Sequence, residues 1–207
     1  MNLLRRLWYR RKYQDTPFAS LFDQPDQHEL VALDCETTSL DPKHAELVTI
    51  AAVRIRANQI LTSQPLQLAL HAPDTLDGVS VAIHRIRHQD LKQGLGDREA
   101  MEQLLEFIGN RPVVGYHIRY DMEILSRYSR QLFGFPLPNP LVEVSHMYQK
   151  RLERLLPNAY YDLSIEAITR HLKLPDSSRH DALADAISAA LIYVRLKYGS
   201  VTTPTGY

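Results

Sequence analysis

The stretch Leu30-Val31-Ala32-Leu33-Asp34-Cys35-Glu36 constrains the fold more than any other part of the chain. Its apolar residues fall on both alternating sides, the pattern of a strand buried within a sheet. It closes with two carboxylates two residues apart, and residues so spaced on a strand point to one face. Asp34 and Glu36 therefore converge, while Cys35 turns the other way into packing. Like charges at the end of a buried strand are costly unless something neutralises them. A hard divalent cation does so with oxygen ligands, commonly one or two carboxylates. Taken alone, the pair also fits two exposed acids in a loop after a strand.

The rest of the chain builds around this strand. Leu47 to Arg56 and Gln59 to Leu70 read as two more strands, with Ala57-Asn58 as the hairpin turn. Asp97 is a candidate N-cap for a helix carrying Met101, Leu104, Leu105 and Ile108, which ends at Gly109-Asn110. Pro112 to Tyr116 is a short strand, followed by a helix over Arg119 to Leu132 and a proline-rich loop over Gly134 to Pro140. Leu141 to Leu156 starts like a strand and ends like a helix. Asp162 is placed to cap a helix with Leu163, Ile165, Ile168 and Leu172; Pro175 to Arg179 is a loop, and Asp181 to Tyr198 an alanine-rich helix. A hairpin followed by alternating helices and strands predicts an α/β domain, a mixed sheet with helices on both faces. The domain spans residues 29–200, with a tail over 201–207 expected to fray.

Residues 1–28 stand apart. Arg5, Arg6, Arg10, Arg11 and Lys12 precede the first acid, Asp15, and Leu3, Leu4, Leu7 and Trp8 recur at helical spacing. The plain expectation is a short basic helix that packs on the domain with its cations in water. The sharper one is a contact for nucleic acid or a partner protein.

Lys+Arg and Asp+Glu are equal at 24 each, so no net basic charge advertises a nucleic-acid scaffold. Metal-binding carboxylates would offset basic groups in that count. Cys35 is the one cysteine, which excludes an internal disulfide and a multi-cysteine zinc site and fits a reducing, cytoplasmic setting. No apolar run approaches the roughly 18 residues of a membrane span, so no membrane is expected among the partners. The first residues lack the long apolar stretch of a signal peptide.

Two further pieces carry acids. Asp121 follows Val113-Val114-Gly115-Tyr116-His117, where a strand gives way to a helix. An acid in a first helical turn also simply suits the helix dipole. His180-Asp181-Ala182-Leu183-Ala184-Asp185 opens the last helix, and an aspartate beside so apolar a face needs a partner or a metal. By itself His180 fits a cap or loop histidine.

Together, Asp34-Cys35-Glu36-Thr37-Thr38, then Tyr120-Asp121, then His180 to Asp185 resemble, in order and spacing, the three motifs of the DEDDh 3′→5′ exonucleases. That family has the ribonuclease H-like fold and includes the epsilon proofreading subunit of bacterial DNA polymerase III, oligoribonuclease and RNase T. The resemblance covers roughly Glu29 to Leu196. It implies that Asp34, Glu36 and Asp185 ligate one Mg²⁺ or Mn²⁺, that Asp34 bridges to a second, and that Asp121 acts on that ion through water. His180 becomes the general base. Two ions about 3.5–4 Å apart clamp the attacking and leaving oxygens of an in-line displacement. The resemblance further assigns Thr37, Thr38 and Leu40 to the loop that receives the 3′-terminal nucleotide, and His84 to the substrate side.

Two positions depart from the family pattern. Tyr116-His117 stands where the family carries His-Asn, which bears on substrate preference at His117, and Ser39 stands where a glycine is usual. The expected activity is release of nucleoside 5′-monophosphates from 3′ ends of single-stranded DNA or RNA. The alternatives are a catalytically silent nucleic-acid-binding module of the same fold and a phosphohydrolase acting on nucleotides. Monomer and homodimer both stay open, as do proofreading and stand-alone trimming.

Overall fold

The computed structural model describes residues 1–175 and 180–202. Its centre is β1 (Glu29–Thr37), flanked by antiparallel β2 (Leu47–Arg56) and parallel β5 (Val113–Gly115), with β6 (Leu141–Glu143) parallel beyond β5. The sheet is mixed because the β1–β2 hairpin is necessarily antiparallel, whereas β5 and β6 are reached by helical crossovers. The single strand expected over Gln59 to Leu70 is two: β3 (Gln59–Ile60) and β4 (Leu66–Ala69), laid on successive parts of β2. Thr62-Ser63-Gln64-Pro65 intervenes, and a proline has no N–H to give the ladder.

Helices cover both faces. Val31, Leu33 and Cys35 of β1 pack with α3 (Asp97–Ile108) and α4 (Ile118–Phe133). Ala32, on the opposite face, joins Val114 under α5 (Val144–Glu153), α6 (Ile165–His171) and α7 (Ala182–Tyr198). The short α2 (Gly78–His84), capped by Asp77, was not expected; it sits beside a small satellite core of Val48, Leu76 and Leu91. Two expected caps move. Gly96 is the N-cap of α3, and Asp97 lies inside its first turn, where its charge faces the helix dipole. Ser164 caps α6, because Asp162 spends its carboxylate on the Ser164 N–H at 2.9 Å. The loop expected at Pro175 to Arg179 falls outside the described residues after Pro175. After α7, Val201 is buried in the α7-side core and the Thr202 carbonyl lies 3.1 Å from His171 Nε2. Residues 203–207 lie outside the description.

The first segment forms α1 (Leu3–Lys12) and packs on the domain, but through a different face from the one its leucines suggest. Arg6 and Tyr9 are buried, whereas Leu3, Leu4, Leu7 and Trp8 are exposed. The reason is aromatic packing: Tyr9 stacks on Phe22 at 5.3 Å, and Tyr13 and Phe22 meet Phe135 at 4.9 and 5.2 Å. Arg6 donates to the Asp23 carbonyl at 2.5 Å and the Pro138 carbonyl at 2.8 Å, which pins the helix to the loop before β6. Arg6→Ala leaves both carbonyls without this charged donor. The expected loss is about 2–3 kcal/mol, or a drop in Tm of roughly 5–10 °C, with no rescue by Lys, which lacks the planar fork. An unchanged melting curve would show that α1 is not anchored there.

Candidate active site

The site forms where β1 ends. Asp34 and Glu36 leave the strand toward α7, and Cys35 points to the opposite core. A register break between Glu36 and Thr37 turns the chain out of the sheet just after the second acid. α7 lies across β1 and β2 on Ala182, Ala186, Ala189 and Ala190, all buried. Small side chains let the helix backbone come close to the sheet, so the short Asp185 side chain reaches the strand acids. Carboxylate oxygens of Asp34, Glu36 and Asp185 lie within 4.8 Å of one another. Asp185 is in the first turn of α7, whose N-cap is Asp181, accepting from the Ala184 N–H at 2.9 Å.

Asp121 arrives from the other face. Its Oδ1 accepts the Cys35 N–H at 3.2 Å, so the carboxylate sits against the end of β1. Gly115 permits this approach: a Cβ there would lie 3.0 Å from the Leu33 carbonyl and 2.8 Å from Ile118 Cδ1. Glu143 fixes the start of α4, accepting the His117 and Ile118 N–H groups at 3.1 Å each and the Ser145 hydroxyl at 2.9 Å.

The four acids load the site with unfavourable charge. Burial, then Asp121, Asp185 and Glu36, push the Asp34 carboxyl well above the usual range. Burial and then Asp185 and Asp181 raise Glu36 to about 7. Burial raises Asp121 to about 7, with the Cys35 N–H pulling the other way. The crowded oxygen donors of Asp34, Glu36 and Asp185 are a set that suits a hard divalent cation.

The folded pKa values exceed those of the unfolded chain, so the folded state holds extra protons between roughly pH 4 and 7. The stabilisation is complete below the unfolded carboxylate pKa and is lost as pH rises through the folded values. In EDTA, Tm should fall by several degrees between about pH 5 and 8, an effect on the order of 1–3 kcal/mol. Millimolar Mg²⁺ or Mn²⁺ should remove most of that fall, because bound cation replaces the missing protons. Scanning calorimetry tests this; a metal-independent profile would argue against a cation site.

His180 lies just before the α7 cap. Its N–H donates to Asp185 Oδ2 at 3.0 Å, and its left-handed backbone (φ 62°) leaves the ring exposed. It lines a pocket of about 700 Å³ together with Glu36, Thr37, Thr38, Leu40 and His84. His84 is buried; its Nδ1 accepts the Ile86 N–H at 3.1 Å, and burial, then the His180 charge, lowers its pKa. Its Nε2 has no hydrogen-bond partner among the described residues. Thr38 is held by Glu46 and Thr75, while Leu40 is 85% exposed at the pocket rim. The structure does not bring His117 into this pocket. It lies in an adjoining groove with Arg119 and His146, joined to the first across Leu40 and Tyr120.

Tyr120, which the sequence offers only as the neighbour of Asp121 in the second motif, also lines the pocket. The Tyr120 hydroxyl is 2.6 Å from the Thr37 hydroxyl and also bonds the Ser39 carbonyl, so it ties the loop after β1 to α4. Its only local signal was adjacency to Asp121; its partners lie some 80 residues away.

The fold is of the ribonuclease H-like class, with the mixed sheet and two-sided helical cover expected from the sequence, and it carries the acidic cluster at the end of its central strand. The chain belongs to the RNase T exonuclease family, whose model, described as Exonuclease, matches residues 31–193. Among curated relatives, a DNA polymerase III subunit epsilon-like protein of Rhodobacter capsulatus is 26% identical over 83% of this chain and 24% of its own length. The DNA polymerase III subunit epsilon of Aquifex aeolicus is 25% identical over 82% of this chain and 83% of its own. E. coli exonuclease I in complex with a dT13 oligonucleotide superposes with a TM-score of 0.69 at 17% identity, over 83% of this chain and 41% of that one. Relatives of the PolC type are longer still: the chain spans 13% of the Thermotoga petrophila protein. No helix among the described residues is long and apolar enough to cross a membrane.

Proposed function

We propose that this protein is a DEDDh-type 3′→5′ exonuclease that uses two divalent cations, Mg²⁺ or Mn²⁺, to release nucleoside 5′-monophosphates from single-stranded 3′ ends. The observation that carries the reading is the convergence of Asp34, Glu36 and Asp185 within 4.8 Å, with His180 hydrogen-bonded through its backbone to the third acid and facing the pocket. Cations held there would supply positive charge for the phosphodiester and acidify the attacking water. Asp34, Glu36 and Asp185 hold them, and Asp121 adds the fourth carboxylate while securing the strand end through the Cys35 N–H. His180 takes the proton of the water as its oxygen attacks phosphorus. The bond from phosphorus to the 3′ oxygen of the preceding nucleotide breaks, and that oxygen regains a proton from solvent. Thr37, Thr38 and Leu40 receive the terminal nucleotide, with His84 on the pocket wall. His117 acts in the adjoining groove, on the strand behind it. The complex of exonuclease I with dT13 supports a single-stranded substrate.

The test is a gel assay on 5′-labelled single-stranded DNA and RNA with Mg²⁺, Mn²⁺ or EDTA. The expected result is a metal-dependent ladder that shortens from the 3′ end, absent in EDTA, with the faster strand naming the substrate. Binding of either strand without cleavage by any metal would instead identify a silent binding module.

A further inference from the structure

The outward face of α1 is apolar and flanked by cations. Leu4 is 79% exposed, Trp8 57% and Leu7 53%, with Leu3 alongside. At about 100° per residue, Leu4, Leu7, Trp8 and Arg11 form the crest opposite buried Arg6 and Tyr9. Arg11 lies on that crest, Arg5 and Lys12 are exposed at its edge, and Lys12 Nζ lies 5.1 Å from the Trp8 ring centre. Arg10 is spent on Asp23. The Arg6 bonds and the aromatic stack on Tyr9 stop the helix from rolling its leucines inward.

Each candidate occupant meets these residues differently. A nucleic-acid backbone would neutralise the cations but leave the leucines in water. A second copy, face to face, would bring the same cations together around the contact. An anionic bilayer surface satisfies both features: leucine and tryptophan enter the headgroup boundary, and arginine and lysine meet the lipid phosphates. Ten residues cannot span a bilayer but can lie in its surface. The absence of a spanning run, which removed membranes from the expected partners, bears only on crossing.

We propose that α1 is an interfacial anchor that seats this domain on membranes rich in anionic phospholipid. The position of the helix suits that role. Tyr13, just beyond α1, bonds the Phe133 carbonyl at the last turn of α4, whereas Asp121 lies in the first turn. These residues are separated by roughly 18 Å of helix, so a domain seated through α1 keeps its acidic pocket clear of the surface.

Trp8 is the single tryptophan of the chain and reports directly on this face. The experiment mixes the protein with phosphatidylcholine vesicles, with and without phosphatidylglycerol, and reads co-sedimentation and tryptophan emission. The expected result is binding to the anionic vesicles with a blue shift, weakened by salt. The double variant Leu4→Glu, Leu7→Glu should lose roughly tenfold or more in partitioning, with unchanged circular dichroism and unchanged cleavage of a free oligonucleotide. Absence of anionic-vesicle binding, or equal binding by the variant, overturns the proposal. So does a dimer that the variant abolishes, which would assign the face to a second copy, or a loss of oligonucleotide affinity, which would assign it to nucleic acid.

Discussion

Asp34→Asn should abolish nuclease activity, with a fall of at least about 10³-fold, while raising the melting temperature of the metal-free protein. Both effects come from one feature. Asp34 is crowded by Asp121, Asp185 and Glu36 and desolvated, so its charge opposes folding when no cation is present. An amide of the same shape relieves that repulsion and removes a strong cation ligand. The stabilisation conferred by Mg²⁺ or Mn²⁺ should therefore shrink in the variant as the EDTA melting temperature at pH 8 rises. Reading all three quantities on one preparation separates loss of the site from misfolding, which would lower the melting temperature. Activity within tenfold of the parent, or an unchanged metal-induced shift, would remove Asp34 from the site.

His180→Ala should produce the complementary pattern. The ring is exposed and faces the pocket, while it is the backbone N–H, retained in alanine, that holds Asp185. The acidic cluster should persist, so the thermal shift on adding Mg²⁺ should stay close to that of the parent. The rate constant kcat should fall about 10²–10⁴-fold, the range for removal of a general base, with little change in KM. Alanine is also strained at φ 62°, so a second variant, His180→Asn, tolerates that backbone and tests the ring alone. Loss of the metal shift in both variants would make His180 a structural support of the cluster; full activity in both would eliminate it as the base.

Much of the site was legible because it depends on local periodicity. Alternation along a strand puts Asp34 and Glu36 on one side and Cys35 on the other, whatever the rest of the chain does. The buried-strand pattern of residues 30–36 likewise demands helices on both faces. Asp185 follows from its place near the start of an alanine-rich helix, whereas the N-cap role of Asp181 came from the structure. The family resemblance joins these pieces in one order and spacing.

Contacts between distant segments were not legible. Tyr120 meets Thr37 and Ser39 only because α4 and the loop after β1 converge at one end of the sheet. Glu143 joins the starts of α4 and α5 for the same reason. The case of α1 is sharper, because its leucine spacing suggested an ordinary packed stripe. Tyr9, Tyr13 and Arg6 found better partners in Phe22, Phe135 and two backbone carbonyls, and the leucines were left outside. The sequence by itself determined the central strand, the kinds of chemical group at its end and the family. Only the tertiary structure decided which acids meet within 4.8 Å, which loop Tyr120 holds and which face of α1 is left exposed. The physical reason is that periodicity sets the direction of a side chain from its own backbone, whereas its neighbours are set by how separate elements pack.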